Sequence, residues 1–253
     1  MPLQVHQFAC LSDNYGFLIR DEATGQVACI DTPDAEAILS ELSRKGWTLD
    51  LIMNTHWHPD HAGGNARLKE ATGCSIVGPQ EVTRIAPLDR PVGDGDSVEL
   101  GETRFEVMDT GGHTLGHITY YDAADDVAFV GDTLFALGCG RVFEGTHEQM
   151  WTSLSRLAAL PDETLVYCAH EYTAANARFA LSVDDGPGIK ARAEAVFAAR
   201  QRGEPTVPTR IGAEKAANPF LRAPQLKAGL GLPAASDAEA FAAVRRAKDV
   251  FQG

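Results

Sequence analysis

The stretch that decides the fold is Thr55-His56-Trp57-His58-Pro59-Asp60-His61. It follows the apolar run over residues 49–53, which predicts a buried strand. Three histidines and one aspartate therefore lie close together just after the end of a strand. Imidazole nitrogens and carboxylate oxygens are ligands that suit Zn²⁺, Fe and Mn²⁺. The stretch predicts a metal-binding loop, and a histidine-rich surface loop without metal is the alternative.

The order of residues within this loop predicts positions for two ions. His56 and His58 can converge on one ion. The turn at Pro59 can direct Asp60 and His61 towards a second ion.

Further candidate ligands follow three other predicted strands: His113 in the glycine-rich turn Gly111–His117, Asp132 after residues 127–130, and His170 after residues 165–168. Side chains at strand ends on one edge of a sheet can meet in a single cleft. Asp132 offers two oxygens and can bridge two cations. Paired ions would lower the pKa of a shared water and present hydroxide near neutral pH. His117 shares the turn with His113, and we assign it a structural role.

Composition narrows the class of protein. The 253 residues include 22 basic and 35 acidic side chains, so the net charge is −13. This charge argues against binding to nucleic acid or to anionic membranes. The five cysteines form no C-x-x-C pair, which favours free thiols in a reducing compartment. Because no secretory leader and no apolar run of about 20 residues is present, we predict a cytoplasmic protein.

The predicted secondary structure changes near residue 172. Before it, short predicted strands alternate with turns and helices. After it, alanine-rich helical stretches dominate, and Ser236 and Glu239 form a capping-box pattern before the last of them. We therefore predict an α/β domain over residues 1–171 and a smaller, mostly helical domain over residues 172–253.

The pattern T-H-x-H-x-D-H, followed by G-H-T-x-G-H, a strand ending in G-D and a strand ending before His170, resembles the metallo-β-lactamase superfamily. The resemblance covers residues 1–171. It implies an αββα sandwich, in which two facing sheets lie between outer helices, with the metal site at one edge. It also implies one ion held by His56, His58 and His113, a second held by Asp60, His61 and His170, and Asp132 between them.

Asp31, at the end of a predicted strand, matches an aspartate that is common in the superfamily. The match implies that it orients a ligand histidine. A turn residue that ends the strand is an equally good interpretation from the sequence alone.

Motifs outside the ligand set extend the resemblance to the whole chain. Ser12–Tyr15 (S-D-N-Y), Cys139–Gly145 (C-G-R-V-F-E-G), His170–Thr173 (H-E-Y-T), Asn218–Arg222 (N-P-F-L-R) and Arg245–Asp249 (R-R-A-K-D) are similar to motifs of the glyoxalase II family. That family hydrolyses S-D-lactoylglutathione to D-lactate and glutathione in methylglyoxal detoxification. The resemblance implies catalysis by a metal-bridged hydroxide, with Asp60 and Asp132 as catalytic residues.

The substrate of that family is a small anionic thioester with two carboxylates. Arg245 and Lys248 lie three positions apart on a predicted helix and could hold a carboxylate together. Two solvated basic residues near a helix C-terminus are the alternative. The resemblance also implies that Arg141 and Tyr172 contact glutathione. Phe143 stands where some family members have a tyrosine, and it lacks the hydroxyl that would bind glutathione.

Two other functions compete with thioester hydrolysis. A mononuclear iron glutathione persulfide dioxygenase shares the T-H-x-H-x-D-H core, and a non-catalytic module could bind glutathione conjugates. The loop Cys139–Gly145 and the pair Arg245 and Lys248 favour the hydrolase. We expect two divalent ions, with Zn²⁺ first and Fe or Mn²⁺ as alternatives. We also expect a small-molecule substrate, no nucleic-acid or membrane partner, and a monomer.

Overall fold

The structure, a computed structural model, describes residues 3–253. These residues pack into two compact units that interleave along the chain. The first unit runs from the first described residue to Asp109 and includes Gly116–Gly131, and the second comprises Thr110–Leu115 and Asp132–Gly253. Within the described range, no helix combines the length and apolarity needed to cross a membrane.

A six-stranded sheet forms one layer of the first unit. Its strands lie in chain order: β1 (Leu3–Cys10), β2 (Asn14–Asp21), β3 (Val27–Ile30), β4 (Leu51–Met53), β5 (Ser75–Gly78) and β6 (Arg90–Pro91). The first three strands are antiparallel, and β3 to β6 are parallel. The nearly continuous apolar runs of β3 and β4 fit this arrangement, because parallel strands are covered on both faces.

Four antiparallel strands form the facing layer of the same unit: β7 (Ser97–Leu100), β8 (Thr103–Asp109), β9 (Ile118–Asp122) and β10 (Val127–Gly131). In β8 buried and exposed residues alternate, as expected for a strand with one face in the core. The two layers meet through an aromatic contact, because the Phe129 ring lies 5.8 Å from Phe17 of the first sheet. Phe105 of the same layer as Phe129 lies 6.3 Å from it. The first unit is therefore a β-sandwich.

Helices cover the outer face of the six-stranded sheet. They are α1 (Ala35–Lys45), α2 (Pro59–Ala62) and α3 (Asn65–Thr72), followed by a 3-10 helix (Gln80–Arg84). Helix α1 begins at Asp34, whose side chain accepts from two backbone amides, and ends at Gly46 in the left-handed conformation. Ile38 and Leu42 of α1 pack with Ile52 of β4 in one apolar cluster. These helices connect the parallel strands of the sheet.

The second unit is mostly helical. It contains β11 (Leu134–Phe135), β12 (Gly138–Cys139), α4 (His147–Ala158), β13 (Leu165–Cys168), α5 (Thr173–Val183), α6 (Pro187–Gln201), β14 (Thr209–Arg210), α7 (Ile211–Ala217), α8 (Ala223–Leu226) and α9 (Asp237–Val250). The capping box of Ser236 and Glu239 starts α9 as predicted. The predicted α/β sandwich with a mostly helical C-terminal part is confirmed. The division at residue 171 stays a prediction, since the compact units change at Asp109, Leu115 and Gly131.

Candidate metal centre and substrate cavity

The loop after β4 brings its predicted ligands together within the first unit. Nε2 of His56 lies 3.1 Å from Nδ1 of His58, and the rings of His56 and His61 are 4.0 Å apart. Nε2 of His61 lies 3.5 Å from the Asp60 carboxylate. His56 and His61 are buried, whereas His58 and Asp60 are partly exposed. The ring nitrogens and the carboxylate oxygens of these four predicted ligands therefore lie close together.

Asp31 fixes the orientation of this loop. Its carboxylate accepts hydrogen bonds from the Thr55 amide and hydroxyl, each at 2.7 Å, and from Nδ1 of His61 at 2.8 Å. Ligand atoms of Asp31, His56 and His61 also lie within 4.8 Å of one another. Because the Asp31 oxygens are already engaged by three donors, we interpret Asp31 as an orienting residue and not as a metal ligand. With Nδ1 bound to Asp31, His61 presents Nε2 as its ligand atom.

The local backbone explains why this geometry forms. Asp31 has φ +56°, a left-handed conformation that aspartate tolerates better than most residues. Gly131 has φ +47°, and a Cβ there would lie 2.6 Å from both the His117 ring and the Thr55 hydroxyl. Glycine is therefore required where β10 ends, because no side chain would fit between these groups.

Two further residues support the first-unit ligands. Asn14 of the S-D-N-Y segment is buried, and its side-chain amide donates to the Asp60 carboxylate at 3.1 Å. His117 is fully buried and stacks on His56 with ring centres 4.9 Å apart. The S-D-N-Y motif drew attention to Asn14, but the sequence did not show that Asn14 contacts Asp60. We predicted a structural role for His117, and in the structure its ring supports the ring of His56.

The second unit brings together the other three predicted ligands. One Asp132 oxygen lies 3.4 Å from Nε2 of His113, and the other oxygen lies 3.4 Å from Nε2 of His170. Nδ1 of His113 donates to the Arg141 carbonyl at 2.8 Å, which leaves Nε2 as its ligand atom. All three ligand side chains are buried. Each carboxylate oxygen of Asp132 thus lies near a different histidine.

A cavity of about 420 Å³ lies in the second unit beside these ligands. Its lining includes His113 and Asp132 together with all four predicted substrate-binding residues, Arg141, Tyr172, Arg245 and Lys248. The Tyr172 ring stacks on His170 with an interplanar angle of 3° and a centre distance of 4.7 Å. Phe143 also lines the cavity and is 61% exposed, with its ring 5.2 Å from that of His113. The volume suits a small molecule.

The basic residues of the cavity differ in their exposure and in the contacts that they make with their own chain. Arg141 is exposed and lies 3.9 Å from Asp249. Arg245 is only 4% exposed; its guanidinium donates to the Cys139 carbonyl at 2.9 Å and pairs with Asp249 at 2.9 Å. Lys248 is partly buried and donates to the Ala175 carbonyl at 3.2 Å. The sequence pattern did not show that Arg245 is engaged by its own chain.

Electrostatics distinguish the Lys248 amine from an ordinary lysine. Burial, and then the charges of Arg245, Arg178 and Arg141, lower its pKa to about 8. The thiol of Cys139, which also lines the cavity, has a pKa raised to about 11, mainly by burial, so it stays protonated at neutral pH. The cavity therefore has no thiolate nucleophile at Cys139. Its three basic side chains outnumber the two carboxylates, Asp132 and Asp249, in its lining.

Comparison with known proteins agrees with this arrangement. The metallo-β-lactamase superfamily model matches residues 18–170, and the model of the hydroxyacylglutathione hydrolase C-terminus matches residues 171–251. A hydroxyacylglutathione hydrolase of Maricaulis maris is 56% identical, with 98% of this chain and 99% of that protein covered.

Two solved structures are similar over most of the chain. ETHE1 from Myxococcus xanthus has a TM-score of 0.70 and 30% identity, with 96% of this chain and 90% of that chain covered. TTHA1623, solved in a di-iron-bound form, has a TM-score of 0.61 and 26% identity, with 86% and 100% covered.

Proposed function

The chain belongs to the hydroxyacylglutathione hydrolase family of the metallo-β-lactamase superfamily, and we propose that it hydrolyses S-D-lactoylglutathione to D-lactate and glutathione. It is a metal-dependent thioester hydrolase. In the reaction, water adds to the thioester carbonyl carbon, the carbon–sulfur bond breaks, and a carboxylate and a thiol result. This is the second step of methylglyoxal detoxification.

The observation that carries the proposal is the lining of the second-unit cavity. Predicted metal ligands, His113 and Asp132, line the same cavity as the basic side chains of Arg141 and Lys248. A glutathione thioester is a small anion with two carboxylates, so a cavity that binds it needs cationic side chains for the carboxylates as well as a metal site for the thioester carbonyl. Pockets of roughly 300–1,000 Å³ bind small molecules, and the volume here, about 420 Å³, lies in that range.

The side chains present fit a pair of divalent cations. We propose that His56, His58 and His113 hold one ion, that Asp60, His61 and His170 hold the other, and that Asp132 contributes to both. The donor set of imidazole nitrogens and carboxylate oxygens suits Zn²⁺, with Fe or Mn²⁺ as alternatives. The approach of each Asp132 oxygen to a different histidine supports a bridging role, and a similar protein solved with two irons supports the number.

Such ions, when bound, lower the pKa of a coordinated water and polarise a carbonyl oxygen. The chain's own residues supply orientation and charge. Arg141 and Lys248 bind the carboxylates of the substrate, and Tyr172, stacked against His170, offers a hydroxyl donor to its peptide groups. Asp60 is positioned by Asn14 and can accept a proton. A thiolate leaves readily, so we assign no general acid.

The alternative functions have less support. A relative that is 56% identical over nearly the whole chain is named as a hydrolase, and residues 171–251 match the hydrolase C-terminus. A persulfide dioxygenase is therefore not favoured. A non-catalytic module is not favoured either, because all seven predicted ligands are present in the chain. Cytoplasmic location and a monomeric state stay predictions, and the five buried free thiols support a reducing compartment.

Thiol release from S-D-lactoylglutathione tests the proposal. We expect metal-dependent release of one thiol per thioester, loss of activity after chelation, and recovery when Zn²⁺ is restored. Asp132→Ala should abolish activity, whereas Asp162→Ala, which changes an exposed carboxylate of the same unit, should not. Folded, metal-loaded protein that releases no thiol would overturn the proposal, and oxygen uptake with glutathione persulfide would then test the dioxygenase.

A further inference from the structure

A short hairpin in the second unit links the candidate metal centre to the substrate cavity. Strands β11 and β12 pair Leu134 with Cys139 and Phe135 with Gly138, which leaves a two-residue turn. The second turn residue, Leu137, has φ +57°. A leucine rarely adopts this left-handed conformation, so contacts from outside the hairpin must stabilise it.

Two fully buried side chains from helix α7 and its C-terminal end provide those contacts. The Glu214 carboxylate accepts a hydrogen bond from the Leu137 amide at 2.8 Å. The Asn218 side-chain amide donates to the carbonyls of Phe135, at 3.1 Å, and Gly138, at 2.9 Å. Three backbone groups of a hairpin of six residues are thus bound by these two side chains.

Glu214 and Asn218 are themselves held in place. The Asn218 amide donates to Glu214 at 2.9 Å, and its oxygen accepts from the Phe220 amide at 3.0 Å. Glu214 also accepts from the Thr209 hydroxyl at 2.6 Å and forms an ion pair with Arg192. A buried polar network with its groups paired in this way is rigid, and removal of one donor leaves unpaired acceptors.

The hairpin contacts the metal ligands of its own unit. It follows Asp132 and Thr133 in the chain, and the ring of Phe135 lies nearly perpendicular to that of His170, with ring centres 5.9 Å apart. After the hairpin, the Gly140 amide donates to Thr133, and the Arg141 carbonyl accepts from Nδ1 of His113. A shift of the hairpin would therefore change the surroundings of all three second-unit ligands.

We infer that Glu214 and Asn218 are positioning residues, which act through this hairpin on the orientation of His113, Asp132 and His170 and on the cavity wall. Asn218 is the asparagine of the N-P-F-L-R segment, to which the proposed function gives no role. The inference rests on the proposed function for its catalytic meaning. Its effect on metal binding stands apart, because metal affinity can be measured without any thioester.

Two variants of the second unit separate positioning from mere stability. Asn218→Asp replaces the amide donor by an oxygen that faces two carbonyls and the Glu214 carboxylate. Leu157→Ala removes a fully buried apolar side chain from α4 and leaves the hydrogen bonds of the hairpin in place. Both should lower the melting temperature, yet only the first breaks the hairpin hydrogen bonds.

Competition between the protein and a chelator for Zn²⁺ is the primary readout, at a temperature where each variant is folded by circular dichroism. We expect Asn218→Asp to lower Zn²⁺ affinity by about 10-fold or more, as substitutions of groups that orient ligands do. It should also lower kcat and raise KM, while Leu157→Ala should stay near wild type in Zn²⁺ affinity, kcat and KM. Should Asn218→Asp fail to fold, Asn218→Ala removes the donor without adding a charge.

Wild-type Zn²⁺ affinity and KM in a folded Asn218 variant would overturn the inference. Equal losses in Leu157→Ala and Asn218→Asp would also overturn it, because the effect would then follow stability and not the hairpin. If the wild-type protein binds Zn²⁺ but hydrolyses no thioester, the proposed function fails, and the affinity comparison still tests the positioning role.

Discussion

Nδ1 of His61 donates a hydrogen bond to the Asp31 carboxylate at 2.8 Å, and both side chains are buried. The same carboxylate receives the amide and hydroxyl of Thr55, the first residue of the histidine-rich loop. One side chain thus fixes both the start of the loop and the ring of a predicted ligand. This contact distinguishes between the two interpretations that the sequence allowed for Asp31, because a simple turn residue would not bind the ligand ring.

Asp31→Asn should weaken metal binding more than it weakens the fold. Asparagine tolerates the left-handed backbone and can still accept from one Thr55 donor, but it cannot serve all three donors with a charged acceptor. We expect a loss of metal affinity of about 10- to 100-fold, measured by chelator competition.

Asp50→Asn provides the control for this comparison. Its carboxylate accepts a backbone hydrogen bond from Val27 at 2.9 Å in the same unit. Because this bond reaches β3 and no predicted ligand histidine, metal affinity should be unchanged. Equal affinities for Asp31→Asn and wild-type protein would contradict the orienting role.

The low pKa of Lys248, about 8, predicts a pH dependence of substrate binding. Below that pH the amine is charged and can bind a carboxylate, and above it the neutral amine cannot. KM should therefore rise by roughly tenfold between about pH 7 and about pH 9.5, since a charge-assisted hydrogen bond contributes about 1.5–3 kcal/mol before screening. In Lys248→Arg the guanidinium stays charged, so KM should remain flat over the same range.

The same lowered pKa predicts that stability rises with pH, whereas a lysine in an ordinary ion pair has a raised pKa and loses stability as pH rises. The folded-state pKa, about 8, lies below the reference value of 10.5, so the unfolded chain binds more protons between these values. The free energy of unfolding contributed by Lys248 should therefore increase as pH rises from about 8 to about 10.5. Urea unfolding of wild-type protein and Lys248→Met across this range measures the difference. Parallel curves would contradict the lowered pKa.

The parts of the site that could be predicted from sequence are those with distinctive residue types at strand ends. The loop residues from His56 to His61 carry the pattern in one short stretch, and His113, Asp132 and His170 each follow a short apolar run. Strand ends gather on one edge of a sheet, so local sequence is sufficient to propose that such ligands converge. The sandwich was implied by the family resemblance that these motifs carry, and it is confirmed.

The supporting contacts could not be predicted, because their partners are distant in sequence and chemically ordinary. Glu214 binds an amide 77 positions away, and Asn218 binds a carbonyl 83 positions away. A glutamate and an asparagine near a helix end are usually solvated or act as caps. The burial of Arg245 was missed for the same reason: its spacing to Lys248 placed both on one helix face without showing what covers that face.

Phe143→Tyr should strengthen binding of the thioester. The ring is largely exposed in the cavity lining and lies 5.2 Å from the His113 ring, so a hydroxyl adds no buried polar group. One hydrogen bond contributes about 0.5–1.5 kcal/mol, which corresponds to a fall in KM of roughly 2- to 10-fold. Phe143→Leu serves as the control, because it changes the ring without adding a donor. A KM unchanged by the hydroxyl would show that glutathione does not reach this position.

Two neighbouring arginines of α9, one buried and one exposed, allow the contribution of the buried arginine to stability to be measured within one helix. Arg245 is buried and donates to the Cys139 carbonyl, whereas Arg246 is exposed. Arg245→Ala should lower the free energy of unfolding by about 2–4 kcal/mol, because it leaves a buried carbonyl and the Asp249 carboxylate without their donor. Arg246→Ala should change it by less than about 0.5 kcal/mol. Arg245→Lys keeps the charge but loses the planar fork, so it should fall between them. If Arg245 acted only by binding substrate, Arg245→Ala would raise KM and leave urea unfolding unchanged.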